Sequence, residues 1–359
     1  MGFRVPPLVV RLAAAAVIFA SAEALVFRSG LYNSVIDPMS AAGGILSNVR
    51  NEQERARVGP QIVTVGDSRM GIRARVANRL MAETGYTFGN IAVPGASVRS
   101  WYYMLREIDP GANRYAAIVI PTESYEDEDH EDYSAVPDVH YLAPLLRIAD
   151  AFGYASSFTG WERRWEAFRG CVLKGYAYRR DFQDFLVRHK WRLKLLASVR
   201  ESSADWIYQA GWGTKSLKGL EVDWKARKIV FPEGLTPGER QAVEDRLFRA
   251  DPPPTGWQAA FRRRWLGAIV RRYRGSATRV IFIRLPRGPL PLPLSPIHRT
   301  STIREFAAEP HVTVAPENLF DELERPELFG DQMHLNGAGG DRFSLMLART
   351  VPAILAVRH

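Results

Sequence analysis

Gln61-Ile62-Val63-Thr64-Val65-Gly66-Asp67-Ser68-Arg69 is the stretch on which the fold turns. Its short apolar run, closed by glycine, has the pattern of a buried strand. Met70, Ala77 and Met81, with Ile72, Val76 and Leu80, then recur at helical spacing, so a helix is expected to begin directly after Ser68. Outward from here the alternation continues. Strands are expected at 86–92, 116–121, 279–285 and 311–315, and helices at about 97–108, 256–274 and 338–356. Alternating strands and helices imply an α/β domain whose parallel sheet is covered on both faces. Such sheets bind ligands beyond the carboxyl ends of their strands, and Ser68 stands at one of those ends. A serine there, at the positive end of a helix, suits a nucleophile and the oxyanion it generates. Asp or Ser before a helix equally suits an ordinary cap.

A second block lies near the C-terminus. Gly330-Asp331-Gln332-Met333-His334-Leu335-Asn336 precedes Gly337-Ala338-Gly339-Gly340 and a final apolar helix. An Asp three residues before a His can accept the imidazole Nδ1–H and leave Nε2 for a serine. The same spacing fits a surface turn capping the last helix. The glycines follow a His rather than a strand, so no phosphate loop is implied. A third block, Gly89-Asn90-Ile91-Ala92-Val93-Pro94-Gly95-Ala96-Ser97, follows the second strand.

Taken in order, the three blocks resemble those of the GDSL/SGNH esterase and acyltransferase superfamily. The resemblance implies a flavodoxin-like, three-layer sandwich. It makes Ser68 the nucleophile, His334 the general base and acid, and Asp331 the residue orienting His334. The N–H groups of Ser68 and Gly95 become oxyanion donors. One departure stands after the third strand, where the family's Asn is replaced within Thr122-Glu123-Ser124. The Thr122 hydroxyl is a candidate donor in its place; Glu123 cannot donate while ionised. Loss of one such donor costs about 10²–10³ in turnover. The extended tail Asp-x-x-His-Leu-Asn-x-x-Gly, the apolar N-terminus and a long insertion look like the branch that modifies cell-envelope polysaccharides. That likeness implies an acylated polysaccharide or other ester as substrate, no cofactor, and a multi-span acyltransferase as partner. The alternative is a non-catalytic module of the same fold that binds a glycan or a partner protein in an envelope assembly.

Residues 1–28 form the membrane-directed segment. Leu12 to Phe27 is apolar and flanked by Arg4, Arg11 and Arg28. With Arg11 snorkelling to the interface, the stretch approaches the roughly 20 residues that a bilayer requires. Flanking positive charge keeps the N-terminus cytoplasmic and places the body in the periplasm or outside. Ala20-Ser21-Ala22 also fits a signal-peptide cleavage site, after which the body would be secreted. Residues 29–58 read as a polar stalk, and 59–359 as the α/β domain with a helical insertion at about 125–255.

The chain has 359 residues, 48 Lys+Arg against 39 Asp+Glu, and a net charge of +9. An apolar content of 46% with 24% charged residues excludes a disordered chain and a polytopic membrane protein. Cys171, the single cysteine, excludes an intrachain disulfide and a multi-thiolate zinc site. Trp161, Trp165, Trp191, Trp206, Trp212 and Trp224 fall in the insertion, which is therefore expected to pack as helices on or beside the sheet. Arg262-Arg263-Arg264 and Arg271-Arg272-Arg274 interleave with Trp257, Phe261, Trp265 and Ile269. The apolar positions form a core-facing stripe that leaves the arginines wet, so no nucleic-acid partner is implied. The acidic run from Glu123 to Asp132 reads as a solvated loop without metal ligands. Arg287, in the proline-rich loop after the fourth strand, is the arginine best placed for a substrate carboxylate.

Overall fold

The apolar runs form short strands, most of them in one parallel sheet. A computed structural model describes residues 6–56, 58–126, 138–201, 214–248, 256–292 and 301–357. Its strands are β1 (Gln61–Thr64), β2 (Thr87–Asn90), β3 (Ala117–Thr122), β4 (Glu221–Asp223), β5 (Lys228–Val230), β6 (Arg279–Arg284) and β7 (Val312–Val314). β2 is followed by Ile91 and Val93, whose N–H groups still reach the Thr64 and Gly66 carbonyls at 2.9 and 3.1 Å, while the Asn90 Oδ1 accepts the Ala92 N–H at 2.9 Å. Five strands make one sheet in the order β2-β1-β3-β6-β7, every pairing parallel. Counting those five alone, the order is 2-1-3-4-5, consistent with a flavodoxin-like fold. β1 and β3 are buried along their whole length, as expected for strands covered on both faces. Ile62, Val119, Ile281 and Ile283 pack with Phe343, Leu347 and Val351 of the last helix, Gly337–Ala356. Val63, Ile118, Val280 and Phe282 alternate with them and are buried on the opposite side.

The chain divides into two compact units, residues 1–47 with 133–202, and residues 48–132 with 203–359. The second holds the sheet. The insertion read at about 125–255 therefore does not behave as one helical block. Its later part contains the antiparallel β4–β5 hairpin and the helix Pro237–Phe248. Leu217, Leu220, Val243 and Leu247 from that part are buried in the same core as the sheet.

The first unit contains the helices Asp138–Leu142, Ala151–Ala155, Trp161–Val172 and Lys174–Glu201, together with the N-terminal helix Pro7–Ala22. No residue of Pro7–Ala22 is buried, and the helix continues as a π-helical turn over Glu23–Arg28. The segment Pro7–Ser34 is long and apolar enough to cross a membrane; a signal sequence meets the same description. The tryptophans of this unit correct the expectation of buried aromatic surface. Trp161 is 76% exposed and Trp165 44%, stacked on each other, and Trp191 is also exposed. Trp206, Trp212, Asp127–Asp132 and the Pro252-Pro253-Pro254 run lie outside the described residues.

Three further expectations are corrected. Residues 29–58 are not a plain polar stalk, for Ala41–Glu54 is a helix in which Ile45 and Val49 are buried. The arginines of the helix Gly256–Tyr273 are not all wet. Arg262 is buried and donates to the carbonyl oxygens of Glu126, at 2.6 Å, and Ser124, at 3.1 Å. No helix begins at Ser68. The first helical turn after β1 is Ala74–Ala77, and Asp67 to Met70 form a turn closed by the Met70 N–H on the Asp67 carbonyl at 3.2 Å. Side chains consume the backbone groups that a helix would need. Asp67 Oδ1 accepts the Arg69 N–H at 2.8 Å, and Asn90 Nδ2 donates to the Met70 and Ile72 carbonyls at 3.3 and 3.0 Å.

Candidate active site

The nucleophile candidate sits where β1 runs off the sheet. Gly66 is required at the bend, since a Cβ there would lie 2.5 Å from the Met70 Cβ and 3.1 Å from the Pro121 Cγ. Past it, Ser68 Oγ lies 2.8 Å from His334 Nε2. The other face of the imidazole is held by Asp331, whose Oδ2 is 2.8 Å and Oδ1 3.0 Å from His334 Nδ1. That contact assigns the proton to Nδ1 and leaves the Nε2 lone pair for the serine. Residues 67–69 and 331–334, 266 positions apart between Ser68 and His334, thus form one hydrogen-bonded chain.

Asp331 is itself fixed by the backbone of its own turn. Its Oδ1 accepts the N–H groups of Met333 at 2.9 Å and His334 at 2.7 Å. Burial pushes the carboxyl pKa up, but the His334 contact and these N–H donors outweigh it and hold it below the usual carboxylate range. The carboxylate therefore stays ionised at neutral pH. The loop is anchored further by Asn336, which caps the last helix by accepting the Gly339 N–H at 3.0 Å and donates to the Glu327 carbonyl at 2.8 Å.

The side expected to bind an oxyanion is built from two loops tied together. Val93 donates its N–H to the Gly66 carbonyl at 3.1 Å. Val93-Pro94-Gly95-Ala96 is a turn closed at 2.9 Å, with Pro94 second and Gly95 third at φ +72°. Proline then glycine at positive φ are the demands of a type II turn, which accounts for that pair. Among the described residues, neither the Ser68 nor the Gly95 backbone N–H is spent on a protein acceptor. Both remain available for developing negative charge. The helix dipole expected behind Ser68 is absent, because no helix starts there.

Two predicted site residues are placed otherwise. The Thr122 hydroxyl donates across the sheet to the Ile283 carbonyl at 3.3 Å, at the carboxyl end of the β3–β6 ladder. In this arrangement its hydrogen is given to the sheet, leaving the Ser68 and Gly95 N–H groups as the two expected donors without a protein acceptor among the described residues. Arg287 is not directed at a substrate. Its Nε and Nη2 each lie 3.2 Å from the Glu324 carboxylate, which also accepts the Arg287 N–H at 2.9 Å and Arg284 Nη1 at 3.0 Å. Glu324 is fully buried, so this arginine is occupied in neutralising it.

Other residues that shape the site have weaker sequence signals. Asn90 binds at once the Thr64 hydroxyl at 2.9 Å, the Ala92 N–H, and the Met70 and Ile72 carbonyls, locking the segment behind Ser68. Glu123 belongs to the acidic run but is no solvated side chain. It lies between Arg69 Nη1 at 2.5 Å and Arg246 Nη1 at 2.6 Å. Among the described residues there is no cluster of His, Cys, Asp and Glu that could hold a metal ion. No protein-family model matches the chain, and no curated protein matches it. The site stands on its own geometry.

Proposed function

We propose that the chain is a membrane-anchored, periplasm-facing serine esterase or O-acyltransferase of the SGNH type, acting on an acylated envelope glycan through an acyl-serine. The observation that carries this reading is the 2.8 Å contact between Ser68 Oγ and His334 Nε2, continued to Asp331. Nucleophile, base and orienting carboxylate within hydrogen-bond reach are what acyl transfer requires, and what a glycan-binding module does not.

In the proposed cycle, His334 Nε2 takes the Ser68 Oγ proton as that oxygen attacks the ester carbonyl carbon. Asp331 stabilises the imidazolium that results. The tetrahedral oxyanion is received by the Ser68 and Gly95 N–H groups. Collapse breaks the bond to the leaving alcohol, which takes the proton from His334. Water or a sugar hydroxyl then gives its proton to His334 and attacks the acyl carbon. Ser68 is released together with the acid or the new ester.

This reading takes Pro7–Ser34 as an anchor, although a signal sequence would meet the same description. Ala22 and Glu23 form the junction a signal peptidase would cut, and the helix runs through it. Glu23 is buried, accepting the N–H groups of Lys174 and of Gly175, the latter at 3.0 Å. A multi-span acyltransferase supplying acyl groups across the membrane is the partner this reading implies.

Treatment of the purified full-length protein with a fluorophosphonate tests the chemistry. The wild type is expected to be labelled with loss of esterase activity and Ser68→Ala to remain unlabelled; equal labelling of both would refute the serine nucleophile.

A further inference from the structure

Ser68 lies between two residues whose side chains are bound to each other. Arg69 Nη2 and Nε meet Asp67 Oδ2 at 2.8 and 3.1 Å, and the Asp67 carboxylate also holds the Arg69 N–H. The remaining arm of the Arg69 guanidinium reaches Glu123, the residue directly after β3. From Glu123 the chain of charges passes to Arg246 on the helix Pro237–Phe248. Arg246 Nε and Nη2 then donate to the Arg287 carbonyl at 3.0 and 2.6 Å. Next to it, a Cβ on Gly288 would stand 3.3 Å from the Gln332 carbonyl and 3.9 Å from the Arg246 side chain, so this backbone lies against the turn that carries Asp331 and His334. Two anions and two cations alternate from the nucleophile turn to the loop supporting the base.

We propose that Glu123 is a positioning residue for both halves of the Ser68–His334 pair, holding the nucleophile turn through Arg69 and the loop beneath His334 through Arg246; this rests on the reading of Ser68 as the nucleophile. Charge-assisted bonds to both carboxylate oxygens fix direction as well as distance. Burial alone would raise the Glu123 pKa, but Arg69 and Arg246 outweigh it and bring it to about 2, so the bridge persists wherever an imidazole can act as a base. With charges of both signs already satisfied, the cluster serves alignment rather than capture of an anionic substrate. Loosening it should misplace the serine against the base, and a displacement of about 1 Å at a reacting centre costs on the order of 10² in rate.

The test is the kinetics of fluorophosphonate inactivation of the full-length protein, resolved into the maximal rate and the half-saturating concentration, with a thermal midpoint for each variant. Glu123→Gln is expected to lower the maximal rate by about 10- to 100-fold and to change half-saturation by less than about 2-fold. In Glu123→Ala, formate but not chloride at equal ionic strength is expected to recover part of the rate, because formate can occupy the space between the two guanidinium groups. Should Glu123→Gln fail to fold, Glu123→Asp decides on the same criterion, being charged but too short to reach both arginines. A labelled wild type together with a folded Glu123 variant reacting at the wild-type maximal rate would overturn the positioning role. A wild type that is never labelled would instead refute the nucleophile itself.

Discussion

Replacing His334 by alanine is expected to lower turnover of a small acyl ester by about 10⁴-fold or more, with little change in thermal midpoint. Without the imidazole, no described residue in hydrogen-bond contact with Ser68 Oγ can take its proton, since His334 Nε2 is its partner. The backbone donors remain, so a residual rate above that of water alone is expected. Asp331→Asn should lose almost as much, because an amide in place of the carboxylate neither stabilises the imidazolium nor fixes the proton on Nδ1. Steady-state rates beside melting curves separate these effects from unfolding. Turnover of His334→Ala within tenfold of wild type would contradict the assignment. The same pair has a pH signature in stability. Since the Asp331 pKa is held below its usual value, its contribution is complete above the ordinary carboxylate range and is lost as pH falls through the depressed value.

Glu324→Ala is expected to cost about 3–5 kcal/mol of stability, the price of leaving buried cations without their anion. Arg284 and Arg287 both converge on this carboxylate, whose side chain is 0% exposed. Arg284 has further partners in Asp321 and in the Glu317 carbonyl, at 2.5 Å, whereas among the described residues the Arg287 side chain is bound by Glu324 alone. Denaturant unfolding of the variant measures the loss. A change below about 1 kcal/mol would show the pair to be dispensable, as exposed ion pairs commonly are. The experiment also separates the two meanings of Arg287, for a substrate-binding arginine would alter half-saturation rather than the unfolding midpoint.

How far the sequence could be read depends on which physical signal each residue carries. Hydrophobic periodicity is a property of consecutive residues, and Ile62, Ile118, Phe282 and Val312 announce their strands accordingly. Ser68, Asp331 and His334 were legible because each sits at a strand end or a loop beside a turn signal. Their meeting is a consequence of parallel strand order, which the alternation implies. What local pattern could not supply is the destination of long side chains. Arg262, Arg287 and Glu123 carry no local signal of a protein partner, yet each is spent on one between 37 and 136 positions away. Asn90 is likewise unremarkable until its four contacts are seen. The helix expected at Ser68 failed for a related reason, since apolar spacing takes no account of an Asp67 or an Asn90 claiming the backbone groups of that turn. Exposed Trp161 and Trp165 show the converse, for aromatic content does not by itself state what it packs against.

The central claim is a covalent acyl group on Ser68. Incubating the full-length protein with p-nitrophenyl acetate, quenching in acid within the first turnovers and mapping the peptides by mass spectrometry tests it most directly. One acetyl group on the peptide containing Ser68, absent from Ser68→Ala and from His334→Ala, is the expected result; ester hydrolysis that persists with Ser68 unmodified in every quenched sample, or an acetyl group on another residue that Ser68→Ala retains, would contradict it.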